Sequence, residues 1–593
     1  MPDDLHRRDW LKRATAGALG VSGVSGALGA LGAWGAAGLA GCRQESPRLD
    51  DLPGGFSGVS LERGHGLRPF WQRLAQGLEL PAPALVHQAP VVIVGGGMAG
   101  LAAARALELA GIQGAALLDT QAAMGGNSQG GQVKGIACPL GAHYLPVPGD
   151  DAHEVQDWLE ELGVRQRLAG RWRYDERYLC HSPQERLYWQ GGWHEGLLPV
   201  QGVSQRTLEQ YALFEKQVEA AARAAAFAMP SIRVWQREAG LPASHAVLDA
   251  QRFDQWLAAQ GLDDERLLWY LDYSCRDDFG AGLSRVSAWA GIHYFASRHG
   301  FHAPRPQSEH ESEADGEQVL TWPQGNGWLA QQLVAGLKAT QLQTDCSVLA
   351  VTEDAGSVQI EVYHHGRQQH ERWLARHCVV ALPSFVAARV LRNAPDFLRA
   401  VAARLDWAPW LVANIHIDRP LADYPGAEPA WDNVLYRDGN AGGLGYVDAG
   451  NQRLDRIRSQ PTVLSYYQAL GDWPDGRRQL MQQPFAFWRE RIVNTLSEPH
   501  PDLLRHATRM EITRYGHAMA IPRPGDQQIL SEIAVKFSSS KRNLRLNGER
   551  VQGLPTPATA RLSFAHSDWA GYSVLEEAFT RGHHAGVRAA QGV

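Results

Sequence analysis

The tightest constraint on this chain lies at residues 90–107. Pro90-Val91-Val92-Ile93-Val94 is a short, wholly apolar run, the pattern of a parallel strand buried on both faces. Gly95-Gly96-Gly97-Met98-Ala99-Gly100 follows at once, and Leu101–Leu107 is helix-prone. A Gly-x-Gly-x-x-Gly run between a strand and a helix is the context in which that motif carries meaning. Gly95 allows the tight turn, and Gly97 lets the backbone approach a pyrophosphate. Gly100 lets the helix pack closely, and the helix start at Met98 and Ala99 favours phosphate charge. A second strand over Ala115–Leu118 ends in Asp119, placed to accept hydrogen bonds from ribose hydroxyls. An arginine there would point to a 2′-phosphate instead.

The chain has 593 residues, room for two to four domains of roughly 100–200 residues each. Hydrophobic residues make up 44% and charged residues 20%, which excludes disorder or coiled coil as the main state. A net charge of −6 without any Lys/Arg block argues against nucleic acid as partner. Besides Cys42, five widely spaced cysteines (138, 180, 275, 346 and 378) imply neither a disulfide framework nor a metal cluster. A single disulfide stays open.

The first 42 residues read as an address. Arg7-Arg8-Asp9-Trp10-Leu11-Lys12 resembles a twin-arginine export signal, and Ala14–Cys42 follows without charge or proline. Glycine at every third position from Gly17 to Gly41 makes the stretch weakly apolar for a membrane span. An uncleaved membrane anchor is the alternative reading. Leu39-Ala40-Gly41-Cys42 resembles a bacterial lipobox, which implies cleavage before Cys42 and lipidation of its thiol. Such a protein is expected in the periplasm, held to the membrane by lipid. Arg43, rather than Asp, after the cysteine favours the outer membrane.

Several further segments together resemble the flavin-containing amine oxidase superfamily. Met124-Gly125-Gly126-Asn127 resembles the second glycine pair of glutathione-reductase-type FAD enzymes. Residues 566–586, from His566-Ser567-Asp568-Trp569-Ala570-Gly571-Tyr572-Ser573-Val574 onward, resemble the superfamily's closing motif against FAD. Pro139–Tyr144 and Pro323–Trp328 look like its flavin-side loop and helix start, and residues 341–383 like its three-stranded meander. Spermidine-dehydrogenase-like bacterial flavoproteins are the nearest kind by general likeness. Pro139 and Asp568 depart from the commoner Asp and Glu, and two extra residues lie between Gly571 and Gly582.

The resemblance implies an α/β fold with a discontinuous Rossmann-like, glutathione-reductase-type FAD domain over 88–148, 318–395 and 552–593. An α+β substrate domain would be inserted as 149–317 and 396–551, behind a signal (1–41) and a tether and linker (42–87). A helix over Leu208–Phe227 and strands over Trp410–Ile417 and Thr462–Tyr467 are expected. The acid-rich run Ser308–Glu317 reads as a solvated loop. FAD, held noncovalently because no cysteine follows Cys378, would contact Gly95, Gly97, Met98, Ala99, Gly100 and Asp119. Gly125, Gly126, Asn127, Gly141 and Ala142 would join them, with Val348, Asp568, Ser573 and Val574.

The implied chemistry is hydride transfer from a small-molecule substrate to flavin N5. An amine is the leading substrate, with polyamines included. Tyr572 and Trp569 are candidate aromatic walls for it, or core packing. His143 and His517 are candidate site histidines, or structural ones. Tyr188, Trp189 and Trp193 could line a substrate tunnel or pack the core. Asp277 and Asp278 offer charges for a cation, or stand on the surface. Lys134 and Lys536 are the lysines in segments plausible for a flavin contact, yet neither sits in a recognisable motif. That favours a dehydrogenase passing electrons to a carrier over an oxidase. The alternatives are an FAD-dependent desaturase of an apolar C–C bond, and a lipid-anchored protein that retains FAD structurally.

Overall fold

In the computed structural model the first apolar run lies within a strand, Leu85–Val94, at the centre of a seven-stranded sheet. The structure describes residues 48–593 except 79, 225–226, 305–317, 438–441, 456, 458, 539–542, 547–548 and 553. The export signal, Cys42 and the whole acid-rich run therefore lie outside the described residues.

Alternation along Leu85–Val94 explains why the run is apolar throughout. Val91 and Ile93 pack with Leu117, Val379 and the helix Met98–Leu109. Val92 and Val94 face the other way, onto Ala116, Leu118 and the meander residues Val351, Ile360 and Val362. Both faces are covered, so every position is apolar. The strand pairs in parallel with Ala116–Leu118 on one side and with the long strand Gln369–Val380 on the other. Cys346–Glu353, Val358–His364 and Gln369–Val380 form the antiparallel meander read from the sequence. Leu562–Phe564 adds in parallel beside the end of Gln369–Val380, bringing in the C-terminal segment.

The closing helix Leu575–Ala590 lies on Met98–Leu109 at a spacing that admits only glycine. A Cβ on Gly582 would stand 2.0 Å from the Ala99 carbonyl oxygen, and one on Gly586 2.4 Å from that of Ala103.

An eight-stranded sheet draws on both inserts. Its order is Gly54–Ser57, Ala507–Ala520, Trp407–Ile417, Thr462–Ala469, Gly443–Asp448, Asp432–Leu435, Glu185–Trp189 and Gly192–Glu195. Trp407–Ile417 is buried along its whole length. Leu411, Ala413 and Ile415 meet Trp488, Ile492 and Leu496 of the helix Phe485–Leu496, and Trp410 and Val412 face Tyr467 and Tyr515. The expected helix runs over Gln205–Ala224, three residues early, because Ser204 Oγ accepts from the Thr207 amide and caps its start.

The segment read as tether and linker is folded from Arg48 onward. Gly54–Ser57 pairs with Met510–Thr513 and covers what would be a bare sheet edge. Phe56 holds it there, edge-on to Phe485 and under the Arg514 guanidinium, 3.6 Å from the ring centre.

Candidate functional site

A cavity of about 340 Å³ runs from the glycine loop to the inner side of the eight-stranded sheet. At one end the backbone is arranged around glycine. Gly95, at φ +104°, leaves a Cβ no room, since it would stand 2.3 Å from the Ala381 carbonyl oxygen. A Cβ on Gly97 would meet nothing nearer than Gly126 Cα at 3.9 Å, so Gly97 borders open space. The second glycine pair is docked on the first: the Gly125 amide donates to the Gly96 carbonyl at 2.7 Å. Asp119 Oδ2 accepts from the Gly96 amide and Oδ1 from that of Gln121, both at 2.7 Å. Burial pushes its pKa up, while those two amides hold it down.

Gly95, Gly97, Met98, Ala99 and Asp119 border this end, as do Gly125, Gly126 and Asn127. Asn127 is fixed by donation from Nδ2 to the Ala518 carbonyl. Gly141, Ala142 and His143 follow on the Pro139–Tyr144 loop. That loop is clamped from the opposite sheet: the Tyr515 hydroxyl donates to the Leu140 carbonyl at 3.0 Å and that of Tyr467 to Gly141 at 3.2 Å. Asp568, Ser573 and Val574 complete the border at the start of the closing helix. Asp568 spends one oxygen on the Ser384 amide and hydroxyl and the other on the Trp407 indole and His566. His566 and Ser384 hold its pKa below the usual range despite burial.

Gly100 is not part of the border; it sits against the Gly95 carbonyl, where a Cβ would come within 1.8 Å. Val348 is also elsewhere, in the core under the meander.

The expected aromatic walls stand outside the cavity. Gly571, at φ +79°, turns the chain so that Tyr572 points into the helical insert. There it is fully buried beside Trp289, His293 and Phe279, and its hydroxyl donates to Glu577 Oε1 at 2.7 Å. Trp569 packs against Phe397 and Phe564. The next residues, Ser573 and Val574, are the ones that reach the cavity. Tyr188, Trp189 and Trp193 do not border this cavity: they pack on the edge strands, with Trp193 beneath Arg186, whose guanidinium lies 3.8 Å from the ring centre. Lys134 donates to Thr508 Oγ1, and neither it nor Lys536 borders the cavity.

The other end is aromatic and acidic. His143 stacks on Tyr467, ring centres 4.2 Å apart, with Tyr144 and Trp431 beside it. Burial alone pushes the His143 pKa down to about 3, so the ring is neutral. His517, at the Phe385 ring, is likewise pushed down to about 4 by burial and by Arg477. The helix Glu265–Phe279 delivers Asp277 and Asp278 to this end. Asp278 is buried and Asp277 half-buried at the cavity wall, so neither stands on the open surface. Asp278 pairs with Arg298, whose guanidinium also reaches Glu576 Oε1 at 3.3 Å. Arg298 sits on the wide π turn Phe295–His299, a local feature often found at functional sites. Asp277 has the Tyr144 hydroxyl, which donates to it at 2.9 Å. Burial, then the charge of Asp278, pushes the Asp277 pKa up to about 6. Three carboxylates thus face one guanidinium, since His143 and His299 are held neutral by burial. The formal surplus is two negative charges around this end of the cavity. Such a surplus calls for a cation.

Sequence reading had raised Asp277 and Asp278 but not Arg298, Glu576, Tyr144, Tyr467 or Tyr515. The pair of acids carried a signal: Asp278 falls on the buried stripe Leu267, Leu271, Cys275 of its helix.

The glycine turn, Asp119 and the parallel strands around them define a dinucleotide-binding Rossmann-like unit. Residues 93–162 match the family of the NAD(P)-binding Rossmann-like domain. No curated protein matches the chain in sequence. Among solved structures the chain is similar to a putrescine oxidase variant, at 13% identity and TM-score 0.59, covering 85% of this chain and 99% of that one. It is similar to the cyclohexylamine oxidase of Brevibacterium oxydans IH-35A, at 14% identity and TM-score 0.57, with 85% and 99% covered. A fatty acid isomerase from P. acnes that produces CLA is similar at 14% identity and TM-score 0.54, with 84% and 97% covered. These likenesses establish the fold: a mixed α/β architecture built on a Rossmann-like domain.

Proposed function

We propose that the chain is an FAD-dependent oxidoreductase that oxidises an amine. The acidic end of the cavity carries the reading, because its two surplus negative charges suit an ammonium group. The alternative of a wholly apolar substrate leaves Asp277 ionised beside hydrocarbon, at a cost of several kcal/mol. A carboxylate ligand fits no better, since Arg298 is already shared between Asp278 and Glu576.

The residues present fit FAD. Gly97 borders open space where a pyrophosphate would pass, and the helix start at Met98 offers it free amides. The Asp119 oxygens each keep a lone pair for a ribose hydroxyl. Residues Gly141, Ala142, Ser573 and Val574 would flank the ring system. When bound, the flavin supplies the hydride acceptor. The chain's own work is to bind and orient. Asp277, kept in place by Tyr144, receives the ammonium and, as a carboxylate, can take the proton the nitrogen must lose before hydride leaves the adjacent carbon. His143, neutral and stacked on Tyr467, can accept a hydrogen bond from the substrate N–H as it approaches. Tyr467, Tyr144 and Trp410 exclude water and hold the substrate carbon.

Similarity to two amine-oxidising structures supports the same reading, as do the segments resembling the amine oxidase superfamily. No lysine borders the cavity among the described residues, which favours a carrier rather than oxygen as electron acceptor. The paired arginines and Leu39-Ala40-Gly41-Cys42 support export by the twin-arginine route and lipid anchoring in the periplasm. The test is direct: purified protein should be yellow, release FAD on acid precipitation, and bleach anaerobically with putrescine, spermidine or a simple primary amine. Bleaching by unsaturated or saturated hydrocarbon chains alone would replace the amine reading.

A further inference from the structure

An isolated two-stranded hairpin, Arg165–Leu168 paired with Arg171–Tyr174, stands apart from both large sheets. Its register sets Arg167 opposite Trp172 and Leu168 opposite Arg171. The two-residue turn Ala169-Gly170 has positive φ at both positions, +49° and +81°, which matches the twist of a tight hairpin. The composition is unusual for this chain. Arg165, Arg167, Arg171 and Arg173 fall within ten residues that hold no acid, in a protein of net charge −6. The nearest acid beyond them, Asp175, is already engaged by Arg177.

The tip is also apolar. Leu168 is 57% exposed and Trp172 42% exposed, on opposite faces of the hairpin. Exposing both is costly in water, and neither covers any core. Trp172 is nonetheless held in place: the buried Arg165 guanidinium lies 3.8 Å from its ring centre, and Arg167 stands 5.9 Å away on the same face. Arg167 and Arg171 extend from the two strands into solvent.

We infer that this hairpin is a docking element for an anionic phospholipid surface. Trp172 and Leu168 would enter the headgroup layer, where an amphipathic indole is favoured. Arg167 and Arg171 would meet lipid phosphates, as basic residues near an anionic leaflet do. The charge sign decides the occupant: the patch is cationic on an acidic protein, so a surface of negative charge attracts the hairpin while repelling the remainder. That combination orients the molecule as well as binding it. The inference is independent of the cavity and of the amine reading.

The test uses the full chain carrying Cys42→Ser, so that acylation plays no part, in co-sedimentation with vesicles. One set is pure phosphatidylcholine; the other contains about 30 mol% phosphatidylglycerol. Binding should favour the anionic vesicles and weaken with salt. Arg167→Gln with Arg171→Gln should lower that preference about thirtyfold, and Trp172→Ala about tenfold. Circular dichroism and the content of any bound flavin should match the parent protein. Should Trp172→Ala misfold, Leu168→Ser reads the apolar half alone. Equal binding to both vesicle types, or an anionic preference that survives the arginine pair, overturns the proposal.

Discussion

Asp277→Asn should separate recognition from stability in one variant. The change keeps the side chain's size, and the amide oxygen can still accept from the Tyr144 hydroxyl at 2.9 Å. What disappears is one of three carboxylates facing a single guanidinium. At about 4 Å and an effective dielectric near 20, one charge pair contributes about 4 kcal/mol. Asp278 and Glu576, partly spent on Arg298, recover some of that for an ammonium. A net loss of about 3 kcal/mol corresponds to roughly 150-fold in kcat/KM for amines. The pH profile carries a second signature. Asp277 is pushed up to about 6, so wild-type kcat/KM should climb as pH rises through that value. The limb should vanish in Asp277→Asn. Stability should move in the opposite direction. A carboxyl whose pKa rises from 3.8 to about 6 on folding gives stability below 3.8 and loses it as pH rises through 6. Ionised Asp277 thus costs the fold about 3 kcal/mol above pH 7. The variant should melt higher than wild type at pH 8, and the gain should fade as pH falls towards 4. Flavin reduction by amines within threefold of wild type, together with a lower melting temperature, would refute the reasoning.

Gly97→Trp should yield colourless protein, because its side chain would occupy the open space beside Gly126 Cα; acid-released FAD is the measurement. Gly582→Leu should cost at least about 3 kcal/mol and most of the bound flavin, since even a Cβ meets the Ala99 carbonyl at 2.0 Å. Tyr572→Phe should cost about 1–2 kcal/mol in denaturant unfolding while leaving flavin reduction by amines unchanged. A tenfold fall in that rate would return Tyr572 to the site. Arg7→Lys with Arg8→Lys should leave precursor in the cytoplasm, and Cys42→Ser should abolish lipidation, both read by fractionation and intact mass.

What could be read from the chain follows how locally each feature is encoded. The phosphate turn, Asp119 and the second glycine pair lie within 33 consecutive positions, and their geometry depends on backbone freedom that glycine alone supplies. They needed no distant partner to be recognised. The meander was equally legible, because alternating burial writes itself into consecutive residues. Tyr572 was misread for the opposite reason. The turn before it is local, but the direction of its ring depends on Gly571 and on Glu577, which offers a buried acceptor five residues later. The edge strand Gly54–Ser57 was hidden because its partner lies more than 450 residues away and its composition is that of a loop.

The acidic end illustrates a third case, where the signal was present and its sign was ambiguous. An Asp-Asp pair on a helix usually means solvent. On Glu265–Phe279, however, Asp278 continues the stripe of Leu267, Leu271 and Cys275, so the helix can only bury its apolar face by taking a carboxylate inside. A buried carboxylate must be paired or must neutralise itself. Arg298 pairs Asp278, and the neighbouring Asp277 instead accepts a phenol and a raised pKa. Replacing both acids by apolar residues would satisfy the fold at lower cost. Their retention at the wall of a cavity whose far end is built for a dinucleotide is therefore an argument about a ligand. The amine proposed above would answer it: held first as the ammonium against the acids, it must shed a proton before its carbon can give up hydride to the group bound at the glycine loop.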